Sequence, residues 1–176
     1  MASQTLSKQY SSFAKTIHWI LALLIIGNYA LGLSLDDTHW YSLHKQIGFS
    51  ILVLVIVRIV GRIIQKYPDQ VVTLTKFERV LSISVHELLY LFMLIVPLSG
   101  ILMVNAFGHQ VSYFGITIPA LIHPLTASSA AMLATIHFIV ATAFISLVGL
   151  HVLGALKHYI IDKDEVLTRM LPNFKK

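Results

Sequence analysis

Nine histidines and no cysteine stand in this chain of 176 residues, and the spacing of two of those histidines suggests its chemistry. His137 and His151 lie fourteen residues apart in an apolar stretch, residues 130–158, whose one Lys, Arg, Asp or Glu is Lys157. In an α-helix fourteen residues rise about 21 Å and make almost four turns, so the two imidazoles share one face to within about 40°. A hydrocarbon core is about 30 Å thick, and such a helix sets one imidazole near each side of it. Phe144 stands midway on the same stripe, and His158 continues it seven residues further. A neutral imidazole is a ready iron ligand, and two on opposite faces saturate a haem for electron transfer. Without cysteine there is no disulfide, no iron–sulfur cluster and no covalent c-type attachment, so any haem is held through histidine or methionine. The stacked pair therefore reads as one axial ligand for each of two haems, with an opposing histidine required at each depth.

The elements that must position these rings follow from composition. The chain is 56% hydrophobic and 12% charged, far too apolar for a soluble domain of this size, and it reads as a bundle of membrane helices. Four segments are long enough to span: residues 16–35, about 41–64, about 80–104 and 130–158. The first exceeds a typical signal-peptide core and lacks a small-x-small cleavage site, so it is expected to be retained. Asp36, Asp37 and His39 form a short acidic loop, and Tyr67-Pro68-Asp69 marks a turn in a basic connector, 66–79. Pro97 and Gly100 are expected to bend the third segment. Gly108, Gly115, Pro119 and Pro124 break any helix across 105–129, whose Tyr113-Phe114-Gly115-Ile116 is apolar enough to lie in the interface or cap a cofactor. No repeat divides the chain, and residues 1–176 read as one transmembrane domain.

Charge gives the orientation. Of thirteen Lys and Arg, twelve fall on the side of the two termini and the second connector, and Lys45 alone falls opposite. The positive-inside rule then puts both termini in the cytoplasm. The net charge of +5 is a topology signal aided by anionic lipid, and not a nucleic-acid footprint.

Sorted by depth, the histidines pair. His18 and His151 lie toward the cytoplasmic side, His44 and His137 toward the outer side. Four residues after each comes a small one, Ala22, Ala155, Gly48 or Ala141, as a porphyrin against a helix requires; His86, the competitor at cytoplasmic depth, has Tyr90 there. Zinc is the rival occupant, but the pairs are on the order of 20 Å apart and no acid or cysteine completes a four-ligand set at either depth. His39, His109 and His123 read as loop residues in solvent. His86 and His158, at the cytoplasmic interface, read either as snorkelling surface or as a substrate site, and Glu87 reads as an interfacial carboxylate.

Lys15-Thr16-Ile17-His18-Trp19, Leu43-His44-Lys45-Gln46-Ile47-Gly48, Phe114-Gly115-Ile116-Thr117-Ile118-Pro119 and Gly149-Leu150-His151 stand in order along the chain, with His158-Tyr159, Asp162-Lys163-Asp164 and Arg169-Met170-Leu171-Pro172 after them. Together they resemble the bacterial cytochrome b561 family, four-helix di-haem proteins of the inner membrane, over nearly the whole chain. The resemblance implies two b-type haems held by His18, His44, His137 and His151. It also implies ubiquinone exchange at the cytoplasmic side, where His86 and His158 match positions lining that site. Some members of the family are superoxide oxidases, with several basic residues around the outer haem. Here the first loop, Ser34-Leu35-Asp36-Asp37-Thr38-His39-Trp40, is shorter and acidic, and Lys45 is the one basic residue outside able to steer an anion. The expectation is an all-α membrane protein, a four-helix bundle with two b-type haems. It would be an oxidoreductase of a respiratory chain, passing electrons between an outer donor, superoxide or a redox partner protein, and membrane ubiquinone. The alternative is a haem-bearing subunit or shuttle for a dehydrogenase, without substrate chemistry of its own.

Overall fold

The computed structural model describes residues 9–34, 38–65 and 74–172. The acidic pair Asp36 and Asp37, the Tyr67-Pro68-Asp69 turn and the side chain of His39 lie outside the described residues. Four helices carry the fold: α1 Ser12–Gly32, α2 Thr38–Ile64, α3 Lys76–Ala106 and α4 Ala127–Lys157, the last running on into one π-helical turn, His158–Asp162. All four are long and apolar enough to cross a membrane.

Their ends obey local chemistry. Ser11, Thr75 and Thr126 cap α1, α3 and α4, each side-chain oxygen accepting from a backbone N–H of the first turn. At α3 the cap is reciprocal, for the Glu78 carboxylate accepts from the Thr75 backbone in return. That capping box starts α3 four residues before the onset expected from hydropathy alone. At the other end Lys163, with φ of 55°, turns the chain left-handed and stops the π turn.

Side chains large and apolar face both ways. Leu21, Ile25, Ile51, Val55, Met93 and Phe144 form the inner cluster, while Leu23, Ile63, Phe77 and Ile161 stand exposed on the outside. A helix apolar all round is the mark of a chain whose outer solvent is lipid. α1 packs along α2 and α3 along α4, with α2 and α3 joining the two pairs. α1 comes near α4 at only a few points, and among the described residues α2 has no close backbone contact with α4. α4 thus makes few close contacts with α1 and α2, the helices that carry the histidines facing its own two.

Between α3 and α4 the connection folds into a small antiparallel hairpin, β1 Ser112–Tyr113 and β2 Ile116–Thr117. Phe114 and Gly115 both take positive φ, as a two-residue hairpin turn demands. The hairpin lies against α2, where Tyr113 packs on Phe49 with ring centres 4.9 Å apart and its hydroxyl meets Ser50 Oγ at 3.2 Å. Buried Asn105 ties the rest of the connection down, donating to the His109 carbonyl and accepting from the Leu121 N–H.

Candidate functional site

The structure brings both expected pairs face to face. His18 on α1 meets His151 on α4 with ring centroids 6.3 Å apart, and His44 on α2 meets His137 on α4 at 6.4 Å. In each pair the ring planes are steeply crossed, by 71° and 80°. Phe144 lies buried on the α4 stripe between the two levels and stacks on Phe92 of α3, rings 2° from parallel and 6.1 Å apart.

Around the outer pair is a cavity of about 240 Å³, lined by His44, His137, Gly32, Gly48, Gly100 and Ala141 among others. Gly48 and Ala141 are two of the small residues expected beside the ligands. Gly32 and Gly100 were not foreseen in this role, and they matter most directly. A Cβ at Gly32 would come within 2.9 Å of His44 Cε1, and one at Gly100 within 3.1 Å of His137 Cε1. Each imidazole therefore rests on a glycine of a neighbouring helix. Gly100, expected only as a bend, makes room for a ring.

Hydrogen bonds decide which ring nitrogen faces the cavity. His44 Nδ1 lies 3.1 Å from the Asn28 carbonyl, which can only accept, so the proton is on Nδ1 and Nε2 keeps its lone pair. Ser99 gives its hydroxyl proton to the Val96 carbonyl at 2.8 Å and so accepts from His137 Nδ1 at 2.9 Å. Both outer rings are thus held with Nε2 available to a metal, the arrangement that orients ligating imidazoles. Asn28 is 8% exposed, and its buried side-chain oxygen has no hydrogen-bond partner among the described residues. Lys45 also lines this cavity, its ammonium 4.5 Å from the centre of the Tyr41 ring.

The inner level is crowded instead. A third imidazole, His86 of α3, packs edge-on against His151 with centroids 5.1 Å apart. Its Nδ1 donates to the Ser82 carbonyl at 2.6 Å. Arg58 of α2 reaches across to α1, donating from Nη2 to His18 Nδ1 at 3.2 Å and from Nη1 to the Ala14 carbonyl at 3.3 Å. A guanidinium has donors and no acceptor, so here the His18 proton sits on Nε2, opposite to the outer pair. Further toward the chain end, His158 Nδ1 lies 2.9 Å from both Asp162 and Asp164, the latter largely buried. Lys157 bridges Asp162 to Glu78 at the start of α3. Trp19 donates to the Met170 carbonyl at 3.0 Å, drawing the final turn back onto α1. His109 and His123 are exposed in the α3–α4 connection, and Glu87 is exposed on α3.

Comparison with known proteins gives the family of this chain. Residues 9–173 match the family model described as prokaryotic cytochrome b561. The chain belongs to that family. Its relatives include cytochrome b561 homolog 2 of Escherichia coli (strain K12), 31% identical over 173 residues, covering 93% of this chain and 92% of the relative. The probable superoxide oxidase CybB of Yersinia pestis is 28% identical over 179 residues, covering 94% and 97%. Cytochrome b562 of Cereibacter sphaeroides is 27% identical over 174 residues, covering 92% and 94%. The b561 membership makes this a bacterial-type membrane protein of electron transfer, a four-helix bundle whose family cofactor is haem b. Sequence reasoning missed Arg58, Ser99, Gly32, Gly100 and Asn28. Of these only Arg58 carried a signal, a charge inside a span.

Proposed function

We propose that this b561 protein binds two haems, His44 with His137 holding the outer one and His18 with His151 the inner one, and carries electrons between an outer donor and ubiquinone near the cytoplasmic side. One observation carries the pairing: the two facing pairs have nearly the same separation, 6.3 and 6.4 Å. A first-row metal held between two imidazoles at about 2.0–2.1 Å, each nitrogen about 1.1 Å from its ring centre, would separate the centroids by about 6.2–6.4 Å. The His86–His151 separation of 5.1 Å is more than an ångström short of that span. The glycine seats and the open cavity fit a flat, bulky cofactor at the outer level. Haem b, when bound, supplies a one-electron Fe(III)/Fe(II) couple.

The protein's own residues do the rest. Asn28 and Ser99 orient the outer ligands, and Phe144 with Phe92 fills the space between levels. The twelve basic residues on the side of the termini support an inner membrane orientation with both termini cytoplasmic. His86 and His158 then stand on the quinone side. Converting a quinone to its quinol takes two electrons and two protons, and imidazoles at the cytoplasmic boundary can hydrogen-bond the carbonyls and deliver those protons. His158, held by Asp162 and Asp164, is connected to exposed carboxylate for its return proton.

For the outer donor, one relative is named a probable superoxide oxidase, and Lys45 at the cavity wall suits an anion. The acidic Asp36-Asp37 pair favours a second reading, a haem-bearing subunit or shuttle that takes electrons from a dehydrogenase. A reduced-minus-oxidised optical spectrum with haem quantitation tests the core of the proposal. Two b-type haems per chain are expected, and one or none would sink it. Replacing His86 or His158 with Ala should slow haem reoxidation by quinone and leave the haem spectrum unchanged. Unchanged kinetics in both would remove these residues from the quinone site.

A further inference from the structure

We propose that Arg58 is the anion-binding residue of the inner site, the group that takes a carboxylate of the cofactor held between His18 and His151. The inference rests on the ligand pairing proposed above. Arg58 lies six residues before α2 ends at Ile64, about 9 Å within an apolar span. An arginine at that depth usually extends its head group out to the interface or meets a carboxylate inside the bundle. This one reaches toward the start of α1 and meets no carboxylate among the described residues. Its nitrogens turn inward to the Ala14 carbonyl and to His18 Nδ1, and its Cζ stands 5.8 Å from the centre of the Tyr90 ring on α3. Among the described residues it forms no ion pair with Asp or Glu.

A permanent positive charge in an apolar bundle with only neutral partners is costly, and the missing partner is an anion. The ring that Arg58 touches is a proposed ligand, so the cofactor placed by that ring lies within the arginine's reach. Protohaem carries two carboxylates, and the planar guanidinium fork matches a carboxylate with two parallel hydrogen bonds. The same movement releases His18: once the guanidinium turns to the carboxylate, the ring proton can reside on Nδ1 and Nε2 is free for iron. The outer site has no equivalent, since the one basic side chain lining its cavity is Lys45, over Tyr41.

The test titrates the full-length haem-free chain in detergent with protohaem and with its dimethyl ester, in which both carboxylates are blocked. With protohaem, Arg58→Gln should weaken the inner site by about tenfold or more, the worth of a charge-assisted hydrogen bond, and Arg58→Lys should recover part of it. The reduction potential of the inner haem should fall in Arg58→Gln. The outer haem should bind as in the wild type, which reports that the variant is folded. With the ester, wild type and Arg58→Gln should bind alike. If the loss is equally large with the ester, the guanidinium acts on His18 itself or on a lipid phosphate, and the inference is overturned. No loss with either cofactor overturns it too, and in both cases the ligand pairing stands. Where Arg58→Gln takes up neither haem, wild type against Arg58→Lys with the two cofactors makes the same comparison. A wild-type chain that takes up no haem removes the pairing and this inference together.

Discussion

The two histidine levels have almost the same span and opposite surroundings. At the outer level each ring has an acceptor behind Nδ1, a glycine beneath it and a cavity in front. At the inner level His18 faces a donor, and its partner His151 carries a second imidazole, His86, on its flank. On the proposed pairing, one site is preorganised for a cofactor, so little reorganisation opposes binding there. On the same pairing the other would have to rearrange, exchanging an arginine contact and selecting one of two neighbouring rings for His151. Ligand residues alone do not distinguish the levels; the residues behind them do.

The largest expected effects come from removing ligands. His44→Ala or His137→Ala should empty the outer site and lower bound haem from two per chain toward one, read by the pyridine haemochrome. His18→Ala or His151→Ala should do the same to the inner site, but the comparison predicts an inequality. His18→Ala leaves His86 beside His151, so a weakly held residual haem should survive there, and His18→Ala with His86→Ala should remove it. If His86→Ala alone loses a haem while His18→Ala keeps both, the inner pair has been assigned to the wrong ring.

Next come the glycine seats. Gly100→Ala drives a methyl into the His137 ring and Gly32→Ala into the His44 ring. Overpacking of this kind costs about 1–3 kcal/mol, here concentrated on the geometry of one site. Outer haem affinity should drop while inner haem absorption and potential are unmoved. An equal loss at both levels would mean the glycines serve helix packing at large. A smaller effect is expected of Ser99→Ala, which leaves His137 Nδ1 without its acceptor; loss of such an outer partner typically weakens metal affinity about tenfold or more. The outer potential should shift, the inner one should not.

How much of this was legible in sequence follows from the range of each signal. Four spans and two depth-matched pairs were readable because hydropathy and the 3.6-residue period act along one helix, and His137 and His151 share α4. The seats were not, because Gly32 serves a ring on α2 and Gly100 a ring on α4, and no rule along a single helix links them. Gly100 beside Pro97 read more naturally as a bend. Arg58 stood in the sequence only as a basic residue at the exit of the second span, and nothing there says that it turns toward α1. The early start of α3 was missed, because hydropathy was weighed and the capping signal Thr75-x-x-Glu78 was not. His86 was set apart from the four only by Tyr90 four residues on, and the structure places its ring closer to His151 than depth alone suggested.

The smallest expected effect concerns the outer mouth, where no rearrangement is needed and only a field acts. Lys45 lines the outer cavity next to His44 in sequence, with its ammonium over Tyr41. A small anion such as superoxide arriving from outside would meet this charge first. A single lysine gives modest steering, and Asp36 and Asp37, which precede it by nine and eight residues, oppose it wherever they come within a Debye length of about 8 Å. Stopped-flow reduction of the haem by a superoxide pulse, at two ionic strengths, measures the balance. Lys45→Glu should slow reduction a few-fold, and Asp36→Asn with Asp37→Asn should speed it by a similar factor. Both differences should shrink at high salt, because a screened field steers nothing. The inner level should be indifferent to all three substitutions, with quinone reoxidation unchanged. Rates immune to charge and to salt would remove Lys45 from the outer site, and no reduction by superoxide at all would favour a dehydrogenase as the donor.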